Sequence, residues 1–278
     1  MAWRRRRGAA LDATVVDEII GADVALASVL HPDARARLTE VTEAVVGLVH
    51  WEAIGGLTLT DEVRVTIAAN AAIPVLSLDL LVYRLVRAVI VRPTIATMTG
   101  PRSGAVAGTL TDDPIYASGV TLGETGPIAI SWDVAIDESR RPFFGRNLVI
   151  HEFAHKIDMS DGYSDGTPPM RGAALSRWTA IVAREFDAGF DTGHGDTGDD
   201  DASDHDTADR VLRSYAWANP AEFFAVATEA FFCTPGRLLV GKPAVYEALR
   251  DFYRQDPAHD RIGAQPGPAA ASGGSATS

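Results

Sequence analysis

The run "NLVIHEFAHKID", residues 147–158, limits what this chain can fold into more than any other stretch. It places two histidines and a glutamate inside an apolar sequence. Read as a helix, "LVI" before the first histidine and "FA" between the two make the apolar face that a buried helix needs. Ionisable groups enter such a helix when they are paired or bind a metal. Residues i and i+4 of a helix lie about 40° apart around its axis. His151 and His155 therefore project from one face, one turn apart, where two imidazoles can meet one ion. Glu152 sits beside them and can reach a water in the open position of that ion. This is the physical content of H-E-x-x-H, two zinc ligands and a general base. Zinc lowers the pKa of a bound water from ~15.7 to about 7, and the glutamate takes its proton as it attacks a carbonyl. At this chain's His and Glu frequencies the pattern arises by chance on the order of 0.01 times. A pair of hydrogen-bonded core histidines is the weaker explanation.

A catalytic zinc site needs a third protein ligand and an open fourth position. "SYAWANPAEFFAVATEAFFCTP", residues 214–235, reads as a strongly apolar helix holding two carboxylates, Glu222 and Glu229. They are near two full turns apart and share a face. Asn219, Pro220 and Glu222 also read as an N-cap, a proline at the first helical position and the glutamate of a capping box. That arrangement would account for Glu222 without a metal. Glu229 has no such explanation, but it can pair with an arginine. Spacing and apolarity leave the two open.

A formal net charge of -12 argues against nucleic acid or an anionic membrane as the main partner. The basic "RRRR" at 4–7 resembles the start of a signal peptide, but Asp12, Asp17 and Glu18 interrupt the apolar stretch that should follow. The longest apolar region, 71–93, is broken by Asp79, Arg84, Arg87 and Arg92, so a core helix followed by a strand is expected, not a bilayer span. Cys233 is the sole cysteine, which fits a reducing compartment and a small core residue. A cytoplasmic location is expected.

The organisation expected is a flexible arm over residues 1–12, one domain over 13–262 and a disordered tail over 263–278. Helical spacing runs through 13–54, and another helix covers 62–82 with Pro74 interrupting it. "AVIVRPTI" reads as a strand. Residues 119–136 read as a hairpin turning near Glu124-Thr125-Gly126, with "IAISW" as its second strand. The Asp- and Gly-rich stretch 186–210 reads as a solvated insertion, and its His194 and His205 as surface residues. Trp132 and Trp178 are expected to pack in the interior. Asp158 is expected either to orient a ligand histidine or to cap the end of its helix.

Three segments in order, "GPIAISW", "NLVIHEFAHKIDMSDGYSDGTPPM" and "YAWANPAEFFAVATEAFF", resemble the Mlc titration factor A family of zinc peptidases. Weaker similarity continues through "RDFYRQDPAHD", so the resemblance covers most of residues 70–257. It implies an α+β fold: a mainly helical, zincin-like metallopeptidase core with a small β-sheet, distantly like the anthrax lethal factor protease. It implies Zn2+ as the cofactor and Glu222 as the third ligand beside His151 and His155. It also implies that Tyr215 lies near the metal, where its hydroxyl can donate to a developing oxyanion. Aminopeptidase-like activity on short peptides, and binding to a transcriptional repressor of sugar uptake, follow from the same resemblance. Members of that family have a histidine ahead of the Gly-Pro-Ile segment, proposed as a further metal contact. The matching stretch here, "GTLTDDPIY", has none. Asp112 or Asp113 would be the substitute, although three ligands and a water complete a site without either.

Overall fold

A computed structural model describes residues 11–94, 126–191 and 211–260, together with short strand segments between 96 and 121. The expectations for His194, His205, Asp112, Asp113 and the basic run at 4–7 lie outside the described residues.

The architecture is mainly helical around a small sheet, as an α+β fold requires. Strands β1 (His50–Ala53), β2 (Ala88–Arg92), β3 (Gly119–Thr121) and β4 (Ile128–Ser131) form one sheet in the order β1-β2-β4-β3. β1, β2 and β4 run parallel, with Val89 opposite Ile128, and β3 is antiparallel to β4 at the edge. Val89, Val91, Ile128 and Ile130 are fully buried, as the β-branched composition of these strands demands. Two further antiparallel pairs join Ala96–Met98 to Ile115–Ala117 and Arg102–Ser103 to Leu110–Thr111.

The helices are α1 (Ala13–Asp23), α2 (Pro32–Leu48), α3 (Asp61–Ala72), α4 (Trp132–Arg140), α5 (Leu148–Asp158), α6 (Ala173–Asp191), α7 (Pro220–Cys233), α8 (Pro235–Gly241) and α9 (Pro243–Tyr253). α5 lies at the centre. It packs against α3 and α7 and against the β3–β4 side of the sheet. Every residue of α5 is buried, and α7 is buried from Phe223 to Cys233. Beneath α7 the rings of Phe224, Phe231, Phe232 and Tyr253 stack or meet edge to face. Trp178 is fully buried against Phe223 and Phe224, Trp132 packs at the margin of the core, and Cys233 is buried within it. No single helix among the described residues is long and apolar enough to cross a membrane.

Several elements depart from the sequence reading. The helical region 13–54 is two helices separated by a 3-10 turn, Ala25–Val29, and Pro32 opens the second. Its last residues form β1 instead of continuing α2. α3 stops at Ala72, ahead of Pro74, and 3-10 turns at Ile73–Val75 and Leu80–Tyr83 take the rest of 62–82. β3 and β4 form the expected antiparallel pair, but Trp132 begins α4 and does not end a strand. At the chain start Leu11 packs against the core and the Asp12 side chain caps α1 through the Thr14 amide. α6 continues to Asp191, and Phe186 packs against Phe223, so the acidic stretch begins inside a helix that contributes to the core.

Candidate metal centre

Capping fixes both ends of α5. Asn147 opens it with its side chain accepting from the Ile150 amide at 3.0 Å, and the Met159 amide returns to His155 O at the other end. The helix then turns through Gly162, at φ +105°, into a loop that reaches Gly166. The Gly166 amide donates to Asp158 Oδ2 at 3.0 Å, and its carbonyl accepts from Trp178 Nε1 at 2.8 Å. Asp158 thus binds the loop following its own helix and not a ligand histidine. Its Oδ1 is buried without a hydrogen-bond partner, and burial pushes its carboxyl up to about 6.

The first turn of α7 packs against that loop, with the backbone of Pro220 and Ala221 beside Gly166. Asn219 caps it through the Glu222 amide at 3.0 Å, with Pro220 in the first turn. Half of the expected capping box is therefore present. The Glu222 side chain, however, turns towards α5, and its Oε2 lies 3.2 Å from His151 Nε2 and 3.5 Å from His155 Nε2. The two Nε2 atoms are themselves 3.2 Å apart. Glu222 Oε2 is buried, and no hydrogen bond of acceptable geometry satisfies it.

These three distances test the site for a metal. A tetrahedral zinc ion with bonds of about 2.0–2.1 Å separates its donor atoms by about 3.3 Å. The triangle of 3.2, 3.2 and 3.5 Å matches that spacing. A buried carboxylate oxygen without a well-formed hydrogen bond is a cost that a cation would remove. The donor chemistry, two imidazoles and one carboxylate, also fits. His151, His155 and Glu222 are a group of donors able to hold one metal ion.

The electrostatics favour positive charge at the same point. Burial alone would lower the His151 imidazole, but Glu222 and Glu229 outweigh it and push it up to about 10. Burial raises the Glu222 carboxyl, and the two histidines more than offset this and hold it well below the usual carboxylate range. Glu152 is buried on the same helix, and its charge contributes to raising His151. Burial lowers the ammonium of Lys156 to about 8, opposed by Glu152, while its Nζ donates to Gly126 O at 2.8 Å.

Glu229, the rival third ligand, lies behind His151. Its Oε1 is 2.8 Å from His151 Nδ1, its Oε2 accepts from the Asn147 amide at 2.8 Å, and Arg213 forms an ion pair with it. Both carboxylates of α7 therefore touch the same imidazole, from opposite sides. Tyr215 lies in the 3-10 turn Ser214–Trp217, its ring 6.4 Å from that of His151 and the residue 37% exposed. Sequence reasoning missed Arg213. An arginine two residues before Tyr215 was its only signal, and a lone arginine points to nothing in particular.

A mainly helical α+β domain with a buried donor set of two histidines and a carboxylate is, as a class, a candidate metalloprotein built on an H-E-x-x-H helix. Comparison with known proteins defines it more closely: the chain belongs to the glucose-regulated metallo-peptidase M90 family, whose model matches residues 1–254. It is 31% identical over 253 residues to Mlc titration factor A of Yersinia pestis (strain Pestoides F), covering 84% of this chain and 83% of that protein. Mlc titration factor A of Yersinia pseudotuberculosis serotype O:1b (strain IP 31758) matches to the same extent. A Synechocystis sp. protein known as slr2042 is 27% identical over 243 residues, 86% of this chain and 83% of its own length.

Proposed function

We propose that this chain is a cytoplasmic zinc-dependent peptidase, a single domain over residues 13–262 holding one ion through His151, His155 and Glu222. The observation that carries the reading is the donor triangle, with Glu222 Oε2 buried and otherwise unsatisfied at one corner. Membership of a metallo-peptidase family supports it. Two histidines and a carboxylate leave a fourth position for water, as in catalytic zinc sites. When bound, zinc supplies Lewis acidity, lowering the pKa of that water and polarising the scissile carbonyl. Glu152 receives the proton of the attacking water and delivers it to the leaving amine, which departs neutral. Tyr215, at the exposed edge of the site, donates a hydrogen bond to the carbonyl oxygen as negative charge develops there. By its resemblance to the family, the substrates are short peptides cut in an aminopeptidase-like manner.

The test is elemental analysis of protein purified without chelator, paired with cleavage of a peptide library. Near-stoichiometric zinc is expected, with its loss in His151→Ala. A folded wild type free of metal after supplementation would end the proposal.

The name of the Yersinia relatives, Mlc titration factor A, favours a second reading, a regulatory protein that binds a transcriptional repressor and whose zinc site is structural or vestigial. Glu152→Gln separates the two. Loss of cleavage marks the enzyme. Absence of cleavage in the zinc-loaded wild type, with repressor binding retained, marks the regulator.

A further inference from the structure

We infer that Glu229 is a positioning residue for the metal centre and that Arg213 is the counter-ion fixing it. The inference rests on the zinc reading above. Glu229 is buried in an otherwise apolar stretch of α7, so its carboxylate requires compensation. Three groups supply it. Oε2 accepts from the Asn147 amide, which belongs to the capping residue of the site helix. Oε1 meets both Arg213 and His151 Nδ1. A carboxylate held at both oxygens by donors from two other segments has little freedom to turn.

That rigidity has a consequence for His151. An ionised carboxylate only accepts hydrogen bonds, so Nδ1 must carry a proton. With Nδ1 committed to Glu229, the nitrogen left to offer a lone pair to a metal is Nε2, the atom 3.2 Å from both His155 Nε2 and Glu222 Oε2. Glu229 thus selects the tautomer that can bind a metal and sets the plane of the ring. Carboxylates standing behind metal-bound histidines have this effect generally. Here the same carboxylate also ties in the turn carrying Tyr215, because Arg213 O accepts from the Ala216 amide at 3.0 Å and closes that turn. One side chain therefore aligns a ligand, the start of the site helix and the segment bearing the tyrosine.

The experiment measures zinc affinity by competition with a chromophoric chelator in wild type, Glu229→Gln, Arg213→Met and Arg213→Lys, with a melting curve for each. Glutamine can present its amide to Nδ1 as a donor, so Glu229→Gln is expected to weaken zinc about 10–100-fold, the usual cost of losing such a partner. Arg213→Met should weaken it in the same direction, and Arg213→Lys should recover much of the loss. A folded Glu229→Gln protein that melts lower but binds zinc as tightly as wild type overturns the inference and leaves the zinc reading intact. A wild type that binds no zinc removes that reading instead. Should Glu229→Gln not fold, long-range 1H–15N spectra of zinc-loaded wild type decide. His151 protonated at Nδ1 and bonded through Nε2 is expected, and the reverse overturns the inference.

Discussion

Gly166 joins the loop after the site helix to the start of the helix that carries Glu222, and alanine there should disturb both. Its φ is +75°, in the left-handed region. An L-residue held in that region costs about 1–2 kcal/mol. A Cβ built on it overlaps the carbonyl of Pro220 and stands 2.8 Å from the Ala221 amide nitrogen. These are backbone atoms in the first turn of α7, so no rotamer change relieves the clash and the helix or the loop must move. Overpacking of this kind typically adds about 1–3 kcal/mol, giving roughly 2–5 kcal/mol in all. At about 2–4 °C per kcal/mol for a domain of this size, Gly166→Ala should lower the melting temperature by roughly 5–20 °C. Glu222 follows Pro220 by two residues, so zinc affinity should fall with stability. Calorimetry with and without zinc, together with chelator competition, reads both. A Gly166→Ala protein melting within about 2 °C of wild type, with unchanged zinc affinity, would refute the reasoning.

Glu152→Gln should retain zinc and lose at least about 10²-fold in peptide cleavage, the lower end for removal of a general base, and unchanged turnover would remove Glu152 from the chemistry. Glu222→Gln should lose zinc binding and activity together. Asn219→Ala should cost only about 0.5–2 kcal/mol of stability with zinc retained, because the cap is a backbone contact distinct from the carboxylate. Glu138 accepts from the Leu148 amide at 2.6 Å, and burial, followed by the charge of Glu229, pushes its carboxyl up to about 7. Its folded value exceeds its unfolded one, so its stabilising contribution is full below about pH 4.5 and is lost as pH rises through 7, by up to on the order of 3 kcal/mol. Glu138→Gln should therefore gain stability relative to wild type as pH rises from 5 to 8, and melting curves that stay parallel would count against this. Replacing residues 192–206 with a short Gly/Ser linker should leave zinc content unchanged, and its loss would reveal a ligand in that stretch.

The site was more legible than the sheet. His151 and His155 announce themselves because helical periodicity places i and i+4 on one face, a local rule independent of tertiary contacts. Glu222 and Glu229 could not be separated by periodicity, since both address His151, one at Nε2 and one at Nδ1. Which side of an imidazole a carboxylate meets depends on how α7 docks on α5, and spacing within α7 does not encode that. β1 escaped notice because "HWEA" alternates between exposed and half-buried positions at a sheet edge, without the apolar run that marks β2 and β4. The strand expected over "IAISW" stops one residue early, because Ser131 ends the ladder and the Asp133 amide donates to Pro93 O as α4 begins. The acidic composition after residue 186 concealed the last turns of α6, although Phe186 packs against the core.

The three donors come from two helices far apart along the chain: Glu222 follows His155 by sixty-seven residues. An ion bound to all three would act as a cross-link closing a long loop, and its binding free energy would be available to folding. Closure cost grows only logarithmically, about 0.6 kcal/mol for each doubling of loop length. Extra residues between the two helices therefore tax the centre very little, whatever their composition. By contrast, one residue inserted between Glu222 and Glu229 would rotate one carboxylate about 100° from the other. Loop closure sets little constraint on the length of chain between the helices, whereas helix geometry fixes the seven-residue step within α7.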